Sequence, residues 1–250
     1  MKKLHLLLTI QIRTQSNTWR YRVGLISIIK GLFSSSKHLY KIGLSPGHGG
    51  EDSGAISLLG DHEAELSRKL AVLLKARLDK NPLFKTTIYG LHQVKKSYSI
   101  RVQESDANKD DFYLPLHFNS GGGPHTNGWL LLLNADDVSE NSQIVKLANS
   151  ILNKLQVQYK LGTVSYGDAK NGISVGAEKD IYELTKPFAA TIYHELGFLS
   201  DNEWSHLLKY DSTFVNMANA IAEGLESYLQ PPVPITSPTP IKPVLAIQGI

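Results

Sequence analysis

Between residues 39 and 229, short apolar runs alternate with longer segments of helical period, and this alternation limits the fold more than any other feature of the chain. "LYKIGL" predicts a first strand ending at a Pro-Gly-His turn. "DHEAELSRKLAVLLKARLDK" predicts a helix, because Leu66, Leu70, Leu73, Leu74 and Leu78 keep helical spacing and Asp61 is placed to cap its start. "FKTTIYG" reads as a second strand, and "SIRVQESDAN" as a short helix capped by Ser99. "FYLPLHFN" and "GWLLLLN" read as two further strands. "SENSQIVKLANSILNKLQVQY" is amphipathic, with Ile144, Leu147, Ala148, Ile151, Leu152 and Leu155 on one face. "FAATIYHELGF" reads as a late strand and "TFVNMANAIAEGLESYL" as a closing helix. Such a pattern implies one α/β domain, with a mainly parallel twisted sheet and helices on both faces. Sites in sheets of this kind gather at the carboxyl ends of the strands.

The two ends of the chain read differently from this body. Residues 1–37 hold seven of the 26 Lys and Arg and none of the 23 Asp and Glu, which leaves 19 basic against 23 acidic residues in the rest. A nucleic-acid-binding patch would therefore have to lie in the leader, and no nucleic-acid partner is expected of the body. "KKLHLLLTI" resembles the start of a secretion signal, but it lacks a small-residue cleavage pattern. "VGLISIIKGLF" is too short to span a bilayer. The leader is thus a poor signal peptide: a weak targeting segment able to contact a membrane, an extension of little structure, or a misassigned start. The catalytic body is expected over residues 38–230, followed by a proline-rich tail over 231–250, "PPVPITSPTPIKP" at its start. There is no cysteine, so disulfides, thiolate metal sites and a cysteine nucleophile are excluded.

The chemistry-bearing residues sit at strand ends or beside them. His48 lies in "LSPGHGGEDSGA", among glycines that let the backbone take unusual dihedrals or approach something closely. His117 ends "FYLPLH" and Glu195 ends "AATIYHE", and a carboxylate leaving an apolar strand needs a partner or a function. Glu63 shares the buried face of its helix with Leu66 and Leu70, whereas Glu65 has Arg68 and Lys69 at ion-pairing distance along the helix. Two imidazoles and one carboxylate with an open fourth position suit a catalytic zinc ion, which also needs a separate base nearby. Glu195 would fill that role.

Five ordered motifs, "PGHGGEDSGA", "EAELSRKLA", "RVQESDAN", "LHFNS" and "HELGFLSDNE", make the chain resemble the zinc-dependent N-acetylmuramoyl-L-alanine amidases of the Amidase_3 type over roughly residues 40–229. The resemblance implies hydrolysis of the amide between N-acetylmuramic acid and L-alanine in bacterial peptidoglycan. It matches His48, Glu63 and His117 to the Zn2+ ligands and Glu195 to the catalytic glutamate. It also implies action at the cell wall, periplasmic or extracellular. A monomer is expected, and the charge of the basic leader suits attraction to anionic wall polymers. Two departures stand out. Ser45 occupies the place of the family's usual aspartate, which weakens an expected partner of a ligand. Pro115, in place of a common serine, removes a ladder donor and interrupts the strand before His117.

Alternatives remain at this level. His62 competes with Glu63 as a ligand, His125 lies in a glycine-rich loop near the cleft, and His194 points to the other face of a regular strand. A zinc peptidase acting on another amide would use the same ligands. A wall-binding module without catalysis would have no use for Glu195.

Overall fold

The computed structural model describes residues 38–91, 97–138, 143–161, 172–176 and 180–229. The leader over 1–37 and the proline-rich tail lie outside the described residues. Seven strands form one sheet: β1 (Tyr40–Pro46), β2 (Phe84–Ile88), β3 (Phe112–Asn119), β4 (Trp129–Leu133), β5 (Ile173–Val175), β6 (Ala190–Thr191) and β7 (Tyr193–Phe198). The order is β2-β1-β3-β7-β4-β5, with the short β6 also on β3. Every pairing is parallel except β4 with β7. The mainly parallel α/β domain read from the alternation is the one observed.

Strand parity divides the side chains between two unequal layers. Tyr40, Ile42 and Leu44 of β1, Phe112, Leu114, Leu116 and Phe118 of β3, and Leu196 of β7 enter one large apolar core. Helices α1 (Glu63–Leu78), α3 (Gln143–Gln158) and α6 (Asp211–Leu229) close that core, and α6 packs against both α1 and α3. Leu66, Leu70, Leu74 and Leu78 of α1 and Leu147, Leu152 and Leu155 of α3 bury there, Leu73 only partly, and a fully buried leucine contributes about 1.5–3 kcal/mol. The opposite face is covered more thinly, by α2 (Tyr98–Asn108) and the four-residue α4 (Tyr182–Thr185). A short α5 (Asn202–Leu207) follows β7.

Several local expectations are corrected. Ser97, not Ser99, caps α2, by accepting from the Ile100 amide at 3.4 Å. Asp61 does not cap α1; its carboxylate accepts from the Ser57 hydroxyl and pairs with Lys209. The amides of Glu63 and Ala64 instead reach the carbonyls of Ala55 and Ser53, so the loop after β1 closes the helix start itself. Pro115 does not interrupt β3, which runs unbroken from Phe112 to Asn119. The break falls in the neighbouring strand, between β6 and β7 at Ile192, whose amide still donates to the Tyr113 carbonyl. The strand β5 and the helix α4 had no counterpart in the sequence pattern, and the first residues expected of α3, 139–142, lie outside the described residues.

Candidate active site

The parallel strands β1, β3 and β7 deliver His48, His117 and Glu195 to one end of the sheet. His48 lies two residues beyond β1 with φ of 60°, a left-handed conformation seldom taken by a residue with a side chain. Three contacts hold it there. Its amide donates to Tyr98 Oη at 3.0 Å, its carbonyl accepts from Arg101 Nη2 at 2.6 Å, and its Nδ1 meets Asp52 Oδ1 at 3.1 Å. With Nδ1 committed to a carboxylate, Nε2 is the nitrogen that faces Glu63 and could hold a metal.

Glu63 opens α1 and is 3% exposed. Its two oxygens face the two imidazoles: Oε2 lies 3.0 Å from His48 Nε2 and Oε1 lies 3.0 Å from His117 Nδ1. Amides of Ala55 and Phe118 also donate to this carboxylate, which fixes its plane. Burial pushes the Glu63 pKa up, but the hydrogen bonds and charges of His117 and His48 outweigh it and hold it at about 2. His117 is treated oppositely. Burial alone would lower it, yet Glu183 and Glu63 raise it to about 10. His48 is raised too: burial lowers it, and the pairing with Glu63 more than reverses that. Both rings therefore hold a proton tightly in the absence of a metal.

The donor set suits a divalent cation. His48, Glu63 and His117 each offer a ligand atom, all within 4.8 Å of one another. Room for it comes from two glycines: a Cβ at Gly47 would come within 2.5 Å of His117 Nδ1, and one at Gly54 within 2.5 Å of His48 and 2.7 Å of Glu63 Oε2. The glycine tract is thus what allows an imidazole on a loop and one on a strand to meet over one carboxylate.

Glu195 stands in register with His117 across β3 and β7, so both side chains leave the same face of the sheet. It lines an open cleft of about 570 Å³ together with Tyr98, Asn119, Tyr182 and Tyr193. Tyr193 also stacks on the His117 ring, centroids 4.7 Å apart and planes 16° from parallel. His62, Glu65 and His125 are exposed and do not join the cluster. His194 is fully buried on the far face, against the Pro115 carbonyl at 3.3 Å. Burial lowers its pKa to about 4.

Sequence reasoning missed Asp52 and Glu183. Asp52 sits in the quoted glycine tract, four residues after His48, and that spacing within a turn was the available signal. Glu183 gave none, because α4 is too short to show a period.

A family profile described as N-acetylmuramoyl-L-alanine amidase, Amidase_3, matches residues 42–227. The chain is 26% identical to the probable N-acetylmuramoyl-L-alanine amidase AmiB of Haemophilus influenzae, over 75% of this chain and 51% of that protein. It thus spans about half the length of that curated relative. Among solved structures, the N-acetylmuramoyl-L-alanine amidase AmiC2 of Nostoc punctiforme superposes with a TM-score of 0.65 at 23% identity, covering 78% of this chain and 99% of that one. An N-acetylmuramoyl-L-alanine amidase from Clostridium difficile 630 superposes with a TM-score of 0.67 at 20% identity, covering 79% and 100%. These two likenesses speak to the fold.

Proposed function

The chain belongs to the Amidase_3 family of N-acetylmuramoyl-L-alanine amidases, and from that premise we propose that it hydrolyses the amide between the lactyl group of N-acetylmuramic acid and L-alanine in peptidoglycan. In this reading Zn2+ is held by His48, Glu63 and His117. One observation carries it: two imidazoles face the two oxygens of one buried carboxylate, on an open cleft that also holds Glu195.

When bound, the zinc would polarise the amide carbonyl and make a water acidic enough to lose a proton near neutral pH. Everything else falls to the chain. Glu195 takes the proton from the attacking water and returns it to the departing nitrogen, so the amine leaves neutral. Asp52 keeps the proton of His48 on Nδ1, which turns Nε2 toward the cluster. Tyr193 holds the His117 ring in plane, and the phenol of Tyr98 anchors the strained His48 backbone. Tyr98, Tyr182 and Asn119 line the cleft where the stem peptide would lie.

Action at the cell wall, periplasmic or extracellular, and function as a monomer belong to the same proposal. Among the described residues, no helix is long and apolar enough to cross a membrane. The test is digestion of purified peptidoglycan with mass analysis of the products. Free L-alanine amino termini beside intact N-acetylmuramic acid are expected. New termini elsewhere in the stem would reassign the enzyme to peptide cleavage, and no products would favour a binding module.

A further inference from the structure

A further carboxylate, Glu183 of α4, borders the same cleft and faces His117. It is 2% exposed, among the most buried charged groups described. Its two oxygens are used differently. Oε1 accepts from the Ser45 hydroxyl and from the Tyr113 hydroxyl, each at 2.5 Å. Oε2 faces His117 Nε2 at 3.9 Å. That nitrogen is buried and has no hydrogen-bond partner, while Nδ1 of the same ring is already engaged with Glu63.

A buried imidazole N–H and a buried carboxylate oxygen are each costly to leave unmatched. Here they face one another about 1 Å beyond hydrogen-bond length, and the ring, stacked flat on Tyr193, can slide in its own plane to close the gap. Arg101 fixes the other end. Its Nη1 donates to Ser45 Oγ at 3.1 Å and to the Pro46 carbonyl at 2.5 Å, so Ser45 hands its own proton to Glu183. The run Arg101–Ser45–Glu183–His117 joins four elements, α2, β1, α4 and β3.

We propose that Glu183 is a positioning residue for the metal site: its Oε2 accepts the Nε2 proton of His117, which locks the ring in the tautomer whose Nδ1 lone pair points at Glu63 and the metal. A carboxylate behind a ligating histidine both orients the ring and makes it more basic, and losing one typically costs 10- to 100-fold in metal affinity or activity. The proposal rests on the zinc reading above and is tested separately from it.

The discriminating variant is Glu183→Gln. The single amide oxygen of Gln still accepts from Ser45 and Tyr113, which leaves the amide N–H groups facing His117 Nε2. Donor then meets donor, and the ring is pushed toward the tautomer that cannot ligate through Nδ1. Zinc affinity of the metal-free full-length protein is measured by chelator competition for the wild type, Glu183→Gln, His48→Ala and His117→Ala, beside the urea midpoint of each metal-free form. We expect Glu183→Gln to bind zinc ~10- to 100-fold more weakly with a near-unchanged midpoint, and both histidine variants to bind almost none. If the histidine variants lose zinc while Glu183→Gln binds like the wild type, the positioning role is overturned. If the histidine variants keep zinc, the ligand set itself fails and the proposal falls with it. Nitrogen NMR of the zinc-loaded wild type gives a second reading, needed if Glu183→Gln does not fold. A His117 Nε2 proton shifted far downfield by a hydrogen bond to a carboxylate supports the proposal, and an Nε2 without that hydrogen bond overturns it.

Discussion

His117 and His194 are buried histidines on neighbouring strands, one register step apart, and their environments drive them in opposite directions. Leu116 pairs with His194 and His117 pairs with Glu195, so the two imidazoles leave opposite faces of the sheet. His117 meets Glu63 and Glu183, and these carboxylates overturn the effect of burial and raise it to about 10. His194 enters the leucine-rich core, meets backbone groups and no carboxylate there, the Pro115 carbonyl at its Nδ1, and is lowered by burial to about 4. Burial does not set the charge of a histidine by itself. The partners supplied by that face of the sheet decide it, and strand parity decides the face.

The largest expected break in this comparison comes from removing each ring. His117→Ala should reduce bound zinc from about one per chain to a small fraction and abolish amide hydrolysis, whereas His194→Leu should keep zinc and activity. Metal analysis and turnover on soluble muropeptide check both, and full zinc in His117→Ala would remove it from the ligand set. Next in size is Glu195→Gln, the register partner of His117. It should retain zinc and lose at least ~100-fold in turnover, the usual worth of general acid–base catalysis. Near-wild-type turnover would place the base elsewhere.

A smaller effect should follow from Gly47→Ala, which removes no donor atom. Its Cβ would lie 2.5 Å from His117 Nδ1, closer than any real contact, so the ring must move. We expect a loss of about 1–3 kcal/mol in folding stability, the usual cost of overpacking, together with weaker zinc binding. Unchanged zinc affinity would show that the ring has slack.

The last effect is a gradual one of pH on the metal-free protein, and its sign differs between the two rings. The folded pKa of His194 lies below that of an unfolded histidine, so the unfolded chain binds the extra proton. Stability should fall as pH drops below about 6.5 and level off near 4, by about 2 kcal/mol between pH 7 and 5. His117 in the metal-free protein is raised, so its contribution is complete below about 6.5 and is lost as pH climbs toward about 10. Urea titrations of the metal-free wild type and His194→Leu at several pH values test this. An equally steep acid loss in His194→Leu would assign that slope to other groups.

How much of this could be read before folding follows from the distances involved. His48, His117 and Glu195 were legible because a parallel sheet brings polar strand ends to one edge, and Glu63 because it shares the apolar stripe of α1. The sheet itself was legible from period alone. Glu183 was not, since its meaning depends on Ser45, 138 residues away, and on a helix of four residues. The cap of α2 was missed by two residues because two serines, Ser97 and Ser99, flank its start, and the spacing of apolar residues does not choose between them. Ser45 looked like a loss against the family pattern, and only the fold reveals the carboxylate that approaches it from α4.

The most direct test of the whole account is a zinc titration of metal-free full-length protein, reading release of L-alanine amino termini from purified peptidoglycan. The account predicts negligible activity without metal, a rise that saturates near one zinc per chain, and no rise in Glu195→Gln at any zinc level. Full activity in the metal-free protein, or zinc-dependent activity that survives in Glu195→Gln, would contradict it.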